Sequence, residues 1–266
     1  MLLHRILSGV LLAPLFLALV YAGFPWFNAM VAAMATIMAF EFARMDGKRG
    51  PKRRFLIAAA CLLAVLAISM PGGTLAGLAV VVVGTIAVIV ADRVAGQRGL
   101  ALVHAAVPYV ALPALALVYV REAGGDLPGM VSLFWLLAVV WGTDTGAYAF
   151  GRIIGGPKLA PAISPKKTWS GAIGGLIVGV GASAGILAFY DLKIGPAALG
   201  AALVAAIATE AGDLLESGLK RWYQVKDSGT LIPGHGGLMD RFDGLWLAAP
   251  VAAFFCVLFG GGVDQW

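Results

Sequence analysis

TLAGLAVVVVGTIAVIVA, Thr74–Ala91, runs for eighteen residues without a charged side chain. As a helix it rises about 27 Å, close to the hydrocarbon thickness of a bilayer. Pro-Gly-Gly at 71–73 makes a short turn before it, and Arg93 and Arg98 follow it. Working outward, apolar runs recur near 6–22, 25–43, 55–71, 100–120, 131–149, 171–190, 195–210 and 244–260. The sequence predicts an all-α, polytopic transmembrane helical bundle of about nine spans. Composition agrees: of 266 residues, 61% are apolar and 12% charged, against about 45–50% and 25% in soluble domains. A water-soluble domain of this size has too little interior for so much apolar surface. Arg5 ahead of a run ending at Ala22 and Gly23 has some signal-peptide character, but the length of the run and the span that follows favour a retained helix. Cys61 and Cys256 lie inside apolar runs, where a thiol behaves as a small hydrophobe.

Basic residues give the sidedness, because Lys and Arg accumulate in cytoplasmic loops. With the N-terminus inside, all but two of the nineteen fall on the inner face: Arg5, the cluster Arg44–Arg54, Arg93, Arg98, Arg152, Lys158, Lys166, Lys167, Lys220, Arg221, Lys226 and Arg241. Only Arg121 and Lys193 remain outside, so the N-terminus is expected in the cytoplasm and the C-terminus outside. The net charge of +5 then lies on one face, where topology and anionic lipid account for it. No aromatic interleaving or recognisable fold surrounds the basic cluster, so no nucleic-acid partner is expected.

Residues 1–130 read as N-terminal transmembrane helices. Residues 131–266 read as C-terminal ones carrying two longer cytoplasmic segments, 142–171 and 210–246. These segments hold Asp144, Glu210, Asp213, Glu216, Asp227, Asp240 and Asp243, half of the chain's fourteen acidic residues. Ionisable groups near membrane depth are costly and mark functional sites. Glu210, Asp213, Ser217 and Lys220 are spaced to line one helix face. Asp240 and Asp243 share one side of the first turn of a helix expected to begin near Gly237, where the helix dipole favours anions. An oxygen-only acidic cluster suits a hard cation, Mg2+ above all. Spacing alone leaves a second reading open, in which these are helix-start charges paired with Lys220, Arg221 and Arg241.

SPKKT, Ser164–Thr168, reads as a proline-rigidified turn presenting Lys166 and Lys167 beside two hydroxyls, ahead of a helix expected from Trp169. Lysines and a helix N-terminus seat phosphate, although a polar loop with two lysines is commonly just cytoplasmic. Carboxylates for a metal together with lysines equip a site for phosphoryl or nucleotidyl transfer. His235 lies among glycines in IPGHGG; substrate hydrogen bonding or turn structure suits it better than a base, because a phosphate nucleophile is already ionised. His4 and His104 have no acidic neighbour in sequence and read as structural.

The run SGLKRWYQVKDSGTLIPGHGGLMDRFD, Ser217–Asp243, resembles the signature of the phosphatidate cytidylyltransferase (CDP-diacylglycerol synthase) family, with every fixed position present at the right spacing. DTGAYAFGR and SPKKTWSG also look like motifs of that family. The resemblance implies transfer of CMP from CTP to phosphatidic acid, giving CDP-diacylglycerol and pyrophosphate. It implies a Mg2+ cofactor, with room for a second, monovalent cation. It further implies metal ligands among Asp144, Asp213, Asp240 and Asp243, and catalytic roles for Asp213, Asp240, Asp243, Lys220 and Asp227. Substrate binding falls to Ser164, Lys166, Lys167, Thr168, Arg221, Lys226, His235 and Arg241. CTP, phosphatidic acid and the lipid bilayer are the expected partners, and the many small residues admit a homodimer. The expected place is the bacterial cytoplasmic (inner) membrane, multi-pass, with the active site facing the cytoplasm. An ion or solute transporter would also carry carboxylates near membrane depth. Here, however, the polar residues gather on one side and no halves repeat. A CTP-dependent polyprenol or phytol kinase shares substrates and cation needs, and the complete signature weighs against it.

Overall fold

The computed structural model describes residues 14–45, 51–70, 73–96, 102–229 and 236–266. Residues 14–22 are helical (α1). There follow α2 (Trp26–Met45), α3 (Pro51–Ile68), α4 (Thr74–Val94), a 3-10 turn (Leu102–Ala105), α5 (Ala106–Glu122) and α6 (Asp126–Ile153). A hairpin of β1 (Lys158–Ala160) and β2 (Ser164–Thr168) leads to α7 (Trp169–Phe189), α8 (Pro196–Trp222), α9 (Met239–Phe259) and a closing 3-10 turn (Val263–Gln265). Among the described residues, seven helical stretches are long and apolar enough to cross a membrane, and Phe55–Ile68 is a shorter apolar helix. The chain is an all-α, multi-pass membrane protein. The expected span at 6–22 lies largely outside the described residues.

The chain forms two compact units. The first comprises the described residues up to Tyr119 together with Tyr223–Phe242. In it α2 packs on α3, and α3 on α4. Gly77, Val81, Gly84 and Val88 are buried along one stripe of α4, the 3.6-residue period of a packed face. A methyl at Gly84 would stand 2.6 Å from the Ala60 Cβ, so glycine is what lets these helices close. The opposite face of α4 exposes Leu75, Val82, Val83, Ile86 and Val90, as a lipid-facing helix does. Inside the unit, Asp92 Oδ2 meets the Arg53 guanidinium at 3.0 Å and His104 Nε2 at 2.8 Å, and all three residues are buried. His104 thus has an acidic partner that sequence proximity did not reveal.

The second unit comprises Val120–Trp222 and Asp243–Trp266. With 28 residues, α6 is about 42 Å long and outreaches the hydrocarbon core, so it carries Asp144 on a continuous helix instead of in a loop. Its partner α7 lies along it backbone to backbone. A Cβ at Gly146 would fall 2.7 Å from the Gly174 carbonyl, and one at Gly171 would fall 2.8 Å from the Ala147 carbonyl. Arg121, placed outside by the charge count, is buried and donates to Asp126 Oδ1 at 2.8 Å in the first turn of α6.

One local expectation is corrected. SPKKT is a strand, paired antiparallel to β1 with Lys158 opposite Thr168 and Ala160 opposite Ser164. Pro165 fixes an extended φ and is tolerated in so short a strand because it lacks only an edge donor. The segment from 210 begins as helix, as the spacing of its acidic residues implies: nothing in EAGDLLESGLKRW breaks α8, which runs on to Trp222, supported by Lys220 donating to Glu216 Oε1 at 3.0 Å one turn away. Elsewhere α7 starts at Trp169 as expected, and α9 at Met239, two residues after Gly237.

Candidate active site

The second unit gathers charge from four elements: Asp144 on α6, Lys167 on β2, Glu210 and Asp213 on α8, and Asp243 on α9. Strand alternation places Lys167 and Lys166 on opposite faces of the hairpin. Lys166 is exposed, whereas Lys167 is half-buried and turned onto α8. The Lys167 ammonium donates to Glu210 Oε2 at 2.6 Å and lies 2.9 Å from Asp213 Oδ2. Burial pulls this ammonium down, but the adjacent Asp213 and Glu210 carboxylates outweigh that and hold it above the ordinary lysine value. Asp144, Asp213 and Asp243 are within electrostatic range of one another. Ser217 Oγ donates to Asp213 Oδ1 at 3.3 Å, and the Gly244 amide donates to Asp243 Oδ1 at 2.8 Å. A methyl at Gly212 could not coexist with the Asp243 carbonyl, so glycine is what brings α8 against α9 and Asp213 near Asp243.

Two carboxylates, Glu210 and Asp213, thus flank one ammonium, with Asp144 and Asp243 in the same acidic cluster. The donor set is oxygen only, with negative charge in excess, which is the chemistry a hard divalent cation requires. Among the described residues no three His, Cys, Asp or Glu side chains are already drawn into a coordinating group. Lys167 neutralises part of this charge through its ion pairs with Glu210 and Asp213.

The remaining predicted site residues divide by role. Thr168 is buried, and its Oγ1 accepts from the Gly171 amide at 3.1 Å, capping α7. Ser164 is half-buried on β2. Lys220 sits beside the fully buried Glu216, and Arg221 is exposed in the last turn of α8. In the first unit, Lys226 and Asp227 are exposed after α8, and Arg241 is exposed in the first turn of α9. His235 lies outside the described residues. Asp240 does not stand alone: its Oδ2 accepts from the Gly237 amide at 2.8 Å, the Ser228 amide at 2.9 Å and Ser228 Oγ at 3.0 Å. In the same unit Glu41 of α2 accepts from the Leu238 and Met239 amides, each at 2.9 Å. Sequence reasoning passed over Glu41; the signal available was one carboxylate inside an otherwise apolar run.

The chain is similar to proteins of known name along most of its length. The chain is 37% identical over 260 residues to the phosphatidate cytidylyltransferase of Brucella suis biovar 1 (strain 1330), covering 96% of this chain and 93% of that protein. It is 32% identical over 279 residues to the phosphatidate cytidylyltransferase of Bacillus subtilis (strain 168), covering 96% and 98%. A phosphatidate cytidylyltransferase of Staphylococcus aureus (strain COL) matches at 44% over 124 residues, about half of each chain. The sequence profile described as "Cytidylyltransferase family" matches residues 3–259, and the chain belongs to that family.

Proposed function

We propose that this protein transfers the cytidylyl group of CTP to phosphatidic acid, giving CDP-diacylglycerol and pyrophosphate. The observation that carries the reading is that relatives named for this activity align along 96% of the chain. A phosphate oxygen of the lipid attacks the α-phosphorus of CTP, the bond from that phosphorus to the bridging oxygen breaks, and pyrophosphate leaves with the electron pair. The lipid phosphate is ionised at neutral pH, so no base is needed.

The residues of the second unit fit the electrostatic work this demands. Bringing CTP against a phosphomonoester gathers several negative charges, and catalysis rests on neutralising them where charge develops. Asp144, Asp213 and Asp243 would hold Mg2+, which when bound supplies positive charge to the phosphates. The metal role of Asp240 rests on the family signature. Lys167, poised on Glu210 and Asp213, offers its ammonium to the nucleotide's phosphates, and exposed Lys166 adds positive potential on the other face of the hairpin. Arg221, exposed at the end of α8, suits the lipid headgroup, with acyl chains remaining in the bilayer. The distribution of basic residues supports a site facing the cytoplasm in a bacterial inner membrane.

The test is pyrophosphate release by the purified protein in detergent, with CTP, phosphatidic acid and Mg2+ each omitted in turn. Release that needs all three, with CDP-diacylglycerol formed in step, is the expected result. Release without lipid, or none from folded, lipid-supplemented protein, would overturn the reading. Undiminished release after chelation would overturn the metal assignment alone.

A further inference from the structure

We propose that Glu41, on α2 and remote in sequence from the family signature, is a positioning residue for the transfer: it anchors the signature segment at Ser228 and Gly237–Met239 and so sets the first turn of α9, where Asp240 stands. The inference rests on the cytidylyl-transfer reading and deepens it.

The first amides of a helix have no partner inside it, and a Ser, Thr, Asn or Asp side chain at the cap residue commonly supplies one. At the start of α9 that position is Leu238, which has no acceptor in its side chain. Glu41 supplies it from another helix: Oε1 accepts from the Leu238 amide and Oε2 from the Met239 amide, both at 2.9 Å. Ser228 Oγ lies 3.3 Å from Glu41 Oε2 and 3.0 Å from Asp240 Oδ2, so one serine lies between the two carboxylates. Two glycines of the segment leave room for this carboxylate. A Cβ at Gly229 would stand 2.6 Å from Glu41 Oε1, and one at Gly237 would stand 2.7 Å from Glu41 Oε2 and collide with Ser228 Oγ. A buried acidic residue in an apolar helix is costly unless donors surround it, and here the donors all come from the signature segment. Asp240 Oδ2 in turn accepts from Ser228 and Gly237, the residues that Glu41 touches. A shift of Glu41 therefore reaches Asp240 through Ser228, which bonds both carboxylates, and through the backbone from Leu238 to Gly237. No other element of the unit hands a side-chain acceptor to both Leu238 and Met239 among the described hydrogen bonds.

The experiment compares Glu41→Gln, Glu41→Asp and Gly229→Ala with the unaltered protein, purified whole in detergent. Three quantities are read: kcat per folded molecule, KM for CTP and for phosphatidic acid, and hydrogen exchange of the 236–242 amides. In Glu41→Gln one accepting oxygen becomes a donor facing an amide. We expect kcat to fall about ten- to a hundredfold, the usual scale for a small misplacement, with each KM within about threefold. Exchange of the 236–242 amides should quicken at least about tenfold, and Glu41→Asp should recover part of both effects. Glu41→Gln with kcat per folded molecule within about twofold of normal, or with unchanged exchange, would overturn the proposal. Should Glu41→Gln not fold, Gly229→Ala decides, because its added methyl meets only the Glu41 carboxylate: normal turnover overturns the proposal and a matching loss of kcat supports it. An unaltered protein that releases no pyrophosphate refutes the cytidylyl-transfer reading, whereas the exchange measurement still reports whether Glu41 anchors the segment.

Discussion

Replacing Lys167 by Met removes the ammonium while keeping most of the aliphatic stem, and it strikes the basic partner of Glu210 and Asp213. Glu210 and Asp213 lie 2.6 and 2.9 Å from that ammonium, with side-chain exposures of 12% and 37% against 18% for the lysine. A fully buried pair that loses one partner is destabilised by about 3–5 kcal/mol, and an exposed pair by about 0–1 kcal/mol. The exposures here lie between those limits, with Glu210 the more buried acid, so a loss of about 2 kcal/mol is expected. Thermal or denaturant unfolding in detergent reads it. The same variant should lower kcat/KM for CTP about a hundredfold, the usual loss when one donor to developing phosphate charge is removed. Adding Glu210→Gln separates the two effects. It removes the stranded buried charge, so the double variant should regain about 1 kcal/mol of stability while activity stays low. Unchanged stability in Lys167→Met, or a double variant no more stable than the single, would refute the idea that Lys167 neutralises these carboxylates.

The same pair sets a pH expectation. Because the folded-state value of Lys167 is raised, its contribution to stability is fully present below the ordinary lysine value and is lost only as pH rises through the higher, folded one. Between about pH 7 and 9 the difference in stability between the unaltered protein and Lys167→Met should therefore be flat, and a difference that shrinks across that window would contradict the assignment. Asp240→Asn puts an amide where one oxygen now accepts from Ser228 and Gly237; turnover should fall at least about a hundredfold while helical circular dichroism is kept, and near-normal turnover would remove Asp240 from the mechanism. Gly146→Leu forces side-chain atoms toward the Gly174 carbonyl, 2.7 Å from the first added carbon, and should lower unfolding stability by about 1–3 kcal/mol, with an unchanged midpoint showing that α6 and α7 can part freely.

The spans were legible because a bilayer imposes one length and one polarity on every crossing helix, and Thr74–Ala91 displays both without tertiary information. What eluded the sequence was polar structure settled by distant partners. SPKKT looks like a turn residue by residue; it becomes a strand because Lys158–Ala160 pairs with it, and that pairing sends its two lysines to opposite faces. His104 seems isolated until α4 brings Asp92 within 2.8 Å. The acidic residues of α8 were readable as one face from their spacing, yet nothing in that spacing shows that Lys167, 43 residues upstream of Glu210, supplies the compensating charge.

Glu41 shows why such residues escape a linear reading, and also what betrays them. An acidic residue inside FEFARM carries no motif, and hydropathy treats it as a blemish in a span. Its meaning lies in the glycines of a segment far along the chain. Gly229 and Gly237 have conformations open to other residues, since neither shows a positive φ, so backbone freedom does not explain them. Space does: each faces the Glu41 carboxylate at a separation no Cβ would tolerate. A glycine required by close approach, instead of by a left-handed turn, implies a bulky partner elsewhere, and a carboxylate buried in an apolar helix implies donors elsewhere. Here the two requirements satisfy each other. Enlarging either glycine should therefore disturb α9 in the same way as neutralising Glu41, and Gly229→Ala, which touches Glu41 alone among the two carboxylates, is the sharper probe. If Gly229→Ala left both the exchange of the 236–242 amides and turnover unaltered, the steric half of the argument would fail even with Glu41 itself essential.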